Sequence, residues 1–129
     1  MISEKFTVEI ISPIKSIIKS ETQEVVIPSY EGEMGILKDH IPLITFLRPG
    51  IIRISSEKEK KFYVEEGTVE FSNNQLLILT PMANELSLID KSFIQTQIDE
   101  VEKKIINDKV SDKEKYFLSY KLDTLKSLN

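Results

Sequence analysis

The 129-residue chain has no cysteine, a single histidine, four glycines, five prolines and no long apolar run. Without cysteine there is no disulfide framework, no thiolate nucleophile and no Cys-ligated zinc or iron–sulfur centre, and His40 alone cannot supply a multi-histidine metal site. Neither a metal nor a cofactor is expected. Basic residues are too few to dominate: 17 against 21 acidic gives a net charge of −4, so nothing draws the chain to phosphate backbones or anionic headgroups. Nucleic acid is therefore not an expected partner. The longest apolar pieces, such as Leu76-Leu77-Ile78-Leu79, fall far short of the roughly 20 residues that a membrane-spanning helix needs, so no direct membrane insertion is expected. Met1-Ile2-Ser3-Glu4-Lys5 has neither the layout of a secretion signal nor that of a transit peptide, which predicts a soluble protein of the bacterial cytoplasm. What is present, 40% hydrophobic and 29% charged residues, suits a modest domain able to bury a core.

Every glycine and proline lies before Leu88, and between them fall short stretches rich in β-branched and aromatic residues: 6–12, 24–27, 43–47, 50–55, 61–65, 68–72 and 76–80. Phe6, Val8 and Ile10 alternate with Thr7 and Glu9, and Phe62 and Val64 with Lys61, Tyr63 and Glu65, as half-buried strands do. Asn73-Asn74 is a hairpin turn by composition, since Asn tolerates positive φ. These features predict many short antiparallel strands stacked as a β-sandwich of two sheets over residues 1–89. From Asp90 the period becomes helical, with Ile94, Ile98, Val101 and Ile105 on one stripe, Asp90 as its cap, and Asp99/Lys103 and Glu100/Lys104 as surface ion pairs. After a break at Asn107-Asp108-Lys109, a Ser111…Glu114 capping box opens a second helix with Phe117, Leu118, Leu122, Leu125 and Leu128 on a broad face. Residues 90–129 are thus expected to form an antiparallel two-helix hairpin. Residues 1–89 hold nine basic and thirteen acidic side chains, hence all the net charge, whereas 90–129 hold eight lysines and eight acids. The charged run Lys58–Lys61 reads as the top of a solvated hairpin.

The chemistry-bearing residues are sparse. His40 beside Asp39, with Glu65 and Glu66 elsewhere, is the one candidate for acid–base work, and it defines the rival reading of a small enzyme using Asp39 and His40. A histidine bonded to backbone is the plainer reading. Gly32 and Gly35 follow a strand but precede no helix, so they are read as turn residues with positive φ rather than as a phosphate loop. The long loop drawn from Tyr30 to Gly50, with exposed-looking Glu31, Glu33, Met34 and His40, reads as a contact surface on a rigid scaffold. Composition alone stops at an interaction domain with a helical appendage, and an unrelated β-sandwich adaptor remains a second rival.

The run from Glu31 to Gly50, EGEMGILKDHIPLITFLRPG, closely resembles the signature of the epsilon subunits of bacterial F-type ATP synthases, G-x-x-G-[IV]-L…H-A-P-L-[LI]-T-x-L-K-P-G. Val25–Pro28, Tyr63–Glu70 (Y-x-x-x-G-x-x-E) and Leu76–Pro81 resemble the family's flanking strands. The resemblance implies a sandwich followed by a mobile helical hairpin, forming a non-catalytic rotor subunit at the foot of the central stalk. It implies the gamma subunit and the c-ring as partners, and the alpha/beta head as a further contact of the C-terminal helices. It implies a peripheral location at the cytoplasmic face of the bacterial inner membrane. Carried over by motif position, Glu31, Gly32, Glu33 and Met34 lie toward the c-ring, and His40, Pro42 and Leu43 toward gamma. Phe117, Leu118, Leu122 and Leu125 form the face through which the hairpin would restrain ATP hydrolysis.

Two departures stand out. Lys38-Asp39 replaces the family's P-G or P-N before the histidine, and Ile41 replaces alanine. Some family members bind ATP through I/L-D-x-x-R-A on the hairpin. Here Ile89-Asp90-Lys91-Ser92-Phe93-Ile94 puts phenylalanine where the arginine belongs, and both arginines, Arg48 and Arg53, lie outside the helices, so no guanidinium fork is available there for phosphate.

Overall fold

A computed structural model describes residues 4–107 and 109–129. The N-terminal residues Met1 to Ser3, used above to exclude a targeting signal, and Asp108 of the inter-helix break lie outside the described residues.

Residues up to Glu85 form ten strands: β1 (Phe6–Ile11), β2 (Ser16–Thr22), β3 (Glu24–Ser29), β4 (Gly32–Leu37), β5 (Leu43–Leu47), β6 (Gly50–Ser55), β7 (Lys60–Val64), β8 (Gly67–Ser72), β9 (Gln75–Leu79) and β10 (Ala83–Glu85). Hydrogen bonding links them in the order β10-β7-β6-β3-β5-β8-β9-β1-β2, with β4 paired on β3. The link between β3 and β5 is a single pair, Ser29 opposite Leu47, so the sheet divides there into two halves. Inward side chains of one half (Val25, Ile27, Ile52, Phe62) and of the other (Val8, Val69, Phe71, Ile78) merge into one core. This is the predicted sandwich, its two sheets joined at one corner. The chain turns that corner at Pro49-Gly50, where a Cβ on Gly50 would stand 2.5 Å from the Pro28 Cβ. Gly50 is there because the Pro28 ring packs directly against it, not for its φ.

The sheet is not wholly antiparallel: β1 lies parallel to β9, Val8 opposite Leu76 and Ile10 opposite Ile78. Three strands differ from expectation. The stretch read as a long loop from Tyr30 contains β4, paired residue for residue with β3 from Glu24↔Leu37 to Ser29↔Gly32. Two glycines depress its intrinsic strand propensity, and cross-strand pairing overrides that. Gly35 accordingly lies within the strand opposite Val26, and of the two glycines only Gly32 has positive φ (117°). β2 escaped the periodicity because Ile17 and Ile18 interrupt alternation where the register with β1 shifts between Ile10 and Ile11. β10 is too short to carry a pattern. Asn73 and Asn74 adopt φ of 50° and 56° in the β8–β9 turn, as their residue type predicts.

A 3₁₀ turn (Leu86–Leu88) leads to α1 (Lys91–Ile105) and α2 (Asp112–Ser127). The molecule divides into two compact units, Met1–Leu86 and Ser87–Asn129. Asp90 caps α1, its carboxylate accepting from the Ser92 N–H at 3.2 Å, and the Ser111 hydroxyl caps α2, accepting from the Glu114 N–H at 3.2 Å. The helices pack on each other, with Ile94, Ile98 and Val101 of α1 and Leu118 and Leu125 of α2 buried. The expected Asp99/Lys103 pair does not form; Asp99 accepts instead from the Gln95 side-chain amide at 2.9 Å. An exposed lysine gains too little from such a pair to offset its rotamer entropy.

Candidate partner-binding site

The motif residues fall on two structures, a hairpin tip and a turn. The tip is the β3–β4 connection, Tyr30-Glu31. The buried Ser29 hydroxyl closes it, donating to the Gly32 carbonyl at 2.7 Å and accepting from the Glu31 N–H at 3.2 Å. Glu31 is exposed at the tip. Along β4 the strand alternation then separates the other two side chains: Glu33 faces solvent, while Met34 packs against the core. Glu33 meets Arg53 at 3.7 Å, but both side chains are largely exposed, so the pair adds little. Of the four residues grouped at this end, two carboxylates face out, Gly32 makes the turn and Met34 supports it.

The turn from β4 to β5 holds Asp39, His40 and Pro42. Asp39 has φ of 66°, the left-handed conformation that glycine, asparagine and aspartate accept more readily than other residues, so aspartate suits this turn. Its N–H donates to the Asn74 Oδ1 at 2.7 Å, and its carboxylate accepts from the Asn74 Nδ2 at 2.9 Å. The His40 N–H donates to the Leu37 carbonyl at 3.1 Å. His40 Nδ1 lies 2.7 Å from the Ile41 carbonyl, and since a carbonyl only accepts, the ring proton sits on Nδ1. The ring stands edge-on to Phe71 at 5.9 Å. Neighbours in sequence are thus engaged separately: the Asp39 carboxylate serves Asn74 and the imidazole serves backbone. This is the arrangement of a structural histidine rather than of a general base held by a carboxylate.

β5 carries apolar residues on both faces. Leu43 packs against the core and Thr45 and Leu47 are buried, whereas Ile44 and Phe46 are 77% and 58% exposed. Cross-strand register sets Ile44 beside Glu70 and Phe46 beside Thr68, and Thr68 beside Leu79, itself 45% exposed. Pro42, Ile44, Glu70 and Ser72 border an open depression floored by Leu43 and Phe71. Motif reading marked Pro42 and Leu43, strand alternation set Leu43 and Ile44 on opposite faces, and Phe46 and Leu79 were missed. The signal was available, because a strand with one solvated face should alternate with polar residues, and L-I-T-F-L does not.

On the helices, Leu118 and Leu125 are buried and Phe117 and Leu122 half-buried. Phe93, at the position of the nucleotide motif's arginine, is half-buried on α1.

Residues 5–85 match the family described as ATP synthase, Delta/Epsilon chain, beta-sandwich domain. The ATP synthase epsilon chain of Pelagibacter ubique is 47% identical over 129 residues, spanning 98% of this chain and 99% of its own length. The chain belongs to the ATP synthase epsilon-chain family. The fold agrees at greater distance. A chain in the cryo-EM structure of the Euglena gracilis mitochondrial ATP synthase, OSCP/F1/c-ring in rotational state 1, matches with TM-score 0.77 at 21% identity, covering 99% of this chain and 81% of that one. A chain from the Tetrahymena thermophila mitochondrial ATP synthase central stalk/c-ring matches with TM-score 0.68 at 17% identity, covering 98% of each. Family membership also accounts for the P-G corner: the Gly50 position of the epsilon-chain signature is where a side chain would strike Pro28. No helix among the described residues is long and apolar enough to cross a membrane.

Proposed function

We propose that the chain is a non-catalytic rotor subunit of an F-type ATP synthase, joining the c-ring to gamma in the central stalk. It works peripherally at the cytoplasmic face of a bacterial inner membrane. The observation that carries this reading is the near full-length match to an epsilon chain, 47% identical along 98% of this sequence. The surface supports it. Ile44 and Phe46 leave an apolar strand face in water that a permanent partner would cover, and that face adjoins His40, Pro42 and Leu43, the residues assigned to gamma. The exposed carboxylates Glu31 and Glu33 at the β3–β4 tip suit polar loops of a c-ring better than an apolar groove.

Torque then passes through the sandwich, whose two halves share one core and shift as a body, and no bond is made or broken in this subunit. Restraint of hydrolysis by the helices belongs to the same proposal, acting through Phe117, Leu118, Leu122 and Leu125 on the alpha/beta head. Two of those four side chains are buried in this structure, so the helices must rearrange before that face is offered. Co-expression with gamma followed by size-exclusion chromatography tests the assignment. A stable one-to-one complex is expected, and separate elution of the two proteins contradicts it.

A further inference from the structure

From the Asp39–Asn74 pair we infer a clamp that pre-organises the gamma-facing turn, making both residues positioning residues for assembly; the inference rests on the rotor reading above. The pair joins turns far apart in sequence. Asp39 sits between β4 and β5, Asn74 between β8 and β9, and two hydrogen bonds of 2.7 and 2.9 Å connect them in opposite directions. Both residues hold positive φ, 66° and 56°, so each turn is set by a residue able to sit in the left-handed region, and each side chain closes on the other. The Asn74 carbonyl also accepts from the Thr7 N–H of β1 at 3.1 Å, which anchors the clamp to a core strand.

The clamped turn is the segment that displays the candidate contacts. Ile41 is 74% exposed, Pro42 is exposed, and the half-buried His40 ring stands edge-on to Phe71. Left unclamped, residues 38–42 would lose freedom only on docking, and that ordering would be subtracted from the affinity. The clamp moves the loss into folding. A glycine at position 39 would keep only the backbone N–H bond to Asn74, whereas aspartate adds a side-chain oxygen that accepts from it.

Four variants of the full chain test this: Asp39→Gly, Asn74→Gly, the double variant and Asp39→Asn. Glycine accepts positive φ at both sites, so without straining the turns Asn74→Gly removes both hydrogen bonds, while Asp39→Gly removes the carboxylate's and leaves the backbone N–H at position 39 facing Asn74 Oδ1. Asp39→Asn keeps an oxygen to accept from Asn74 and serves as the conservative rescue. Affinity for purified gamma is read by titration calorimetry, and amide exchange of His40 in the free chain reports the order of the turn. Each glycine variant is expected to bind gamma about two- to tenfold more weakly and to lose protection at the His40 N–H. The double variant should be no worse than the weaker single, and Asp39→Asn should match the wild type. If the wild type binds gamma and the glycine variants bind equally well, or if their losses multiply in the double variant, the clamp is refuted and the rotor reading stands. If the wild type itself does not bind gamma, the rotor reading falls and takes this inference with it.

Discussion

Gly67 shows how much a single position can demand. Its φ of 152° lies where side chains are strained, and a Cβ there would run into the Leu79 carbonyl and approach Leu47 Cδ1 and Thr80 Cβ, both at 3.1 Å. Gly67→Ala should therefore cost at least about 2 kcal/mol, measured by urea unfolding, whereas Gly32→Ala, with open space around it, should cost only the φ strain. Tyr63 makes a different demand. It is fully buried, and burial together with the Glu65 carboxylate, which accepts from its hydroxyl at 3.1 Å, pushes the phenol far above its ordinary value. The folded state keeps the proton while the unfolded state releases it above about pH 10. Stability from this group is thus complete below that pH and falls as pH rises, by about 1.4 kcal/mol per unit. Unfolding free energies between pH 8 and 11 should show that extra slope in the wild type and not in Tyr63→Phe. The need for glycine at 67 was present in the sequence as a motif letter. Its cause was not, because the obstructing carbonyl belongs to a strand twelve residues on.

Strands were legible wherever one face alone is buried. β1, β6 and β8 follow the buried–exposed alternation that the residues announce. β4 was not legible, since its glycines hide a strand specified by its pairing with β3, and neither was β2, whose bulge breaks the period. The helices were readable to their caps, because Asp90 and Ser111 act locally. β5 gives the sharpest test at this scale. Leu43→Asp places a carboxylate against the core and should destabilise the sandwich by several kcal/mol. Ile44→Asp, one residue on and 77% exposed, should leave the thermal midpoint within a few degrees of the wild type by circular dichroism. For α1, replacement of the motif arginine by Phe93 leaves Lys91 as a point charge without a fork, and isothermal titration at neutral pH should find no saturable ATP site.

At the scale of the whole molecule, the ten strands and their core lie entirely within one of the two compact units. A chain ending at Ile89 is expected to stay folded and to bind gamma, and its heat-unfolding transition should remain cooperative. Residues 112–129 carry Lys113, Lys115, Lys121 and Lys126 against Asp112, Glu114 and Asp123, a surplus too small to survive screening at a Debye length of about 8 Å. Removal of the helices should therefore raise ATP hydrolysis by the assembled head only modestly. Strong inhibition that vanishes as salt rises would contradict this. The order of sandwich then helices was legible from a change of hydrophobic period near Asp90. Strand alternation sets Leu43 and Ile44 on opposite faces of β5, but which of them lies on the exposed face was not legible, because motif matching marks positions and says nothing of which way each side chain points. That face decides the account. Wild-type chain and Ile44→Asp should be titrated with gamma after both are shown to be folded. A tight complex for the wild type and a loss of at least tenfold in affinity for Ile44→Asp are predicted, whereas equal binding by the two would show that gamma does not dock on this face.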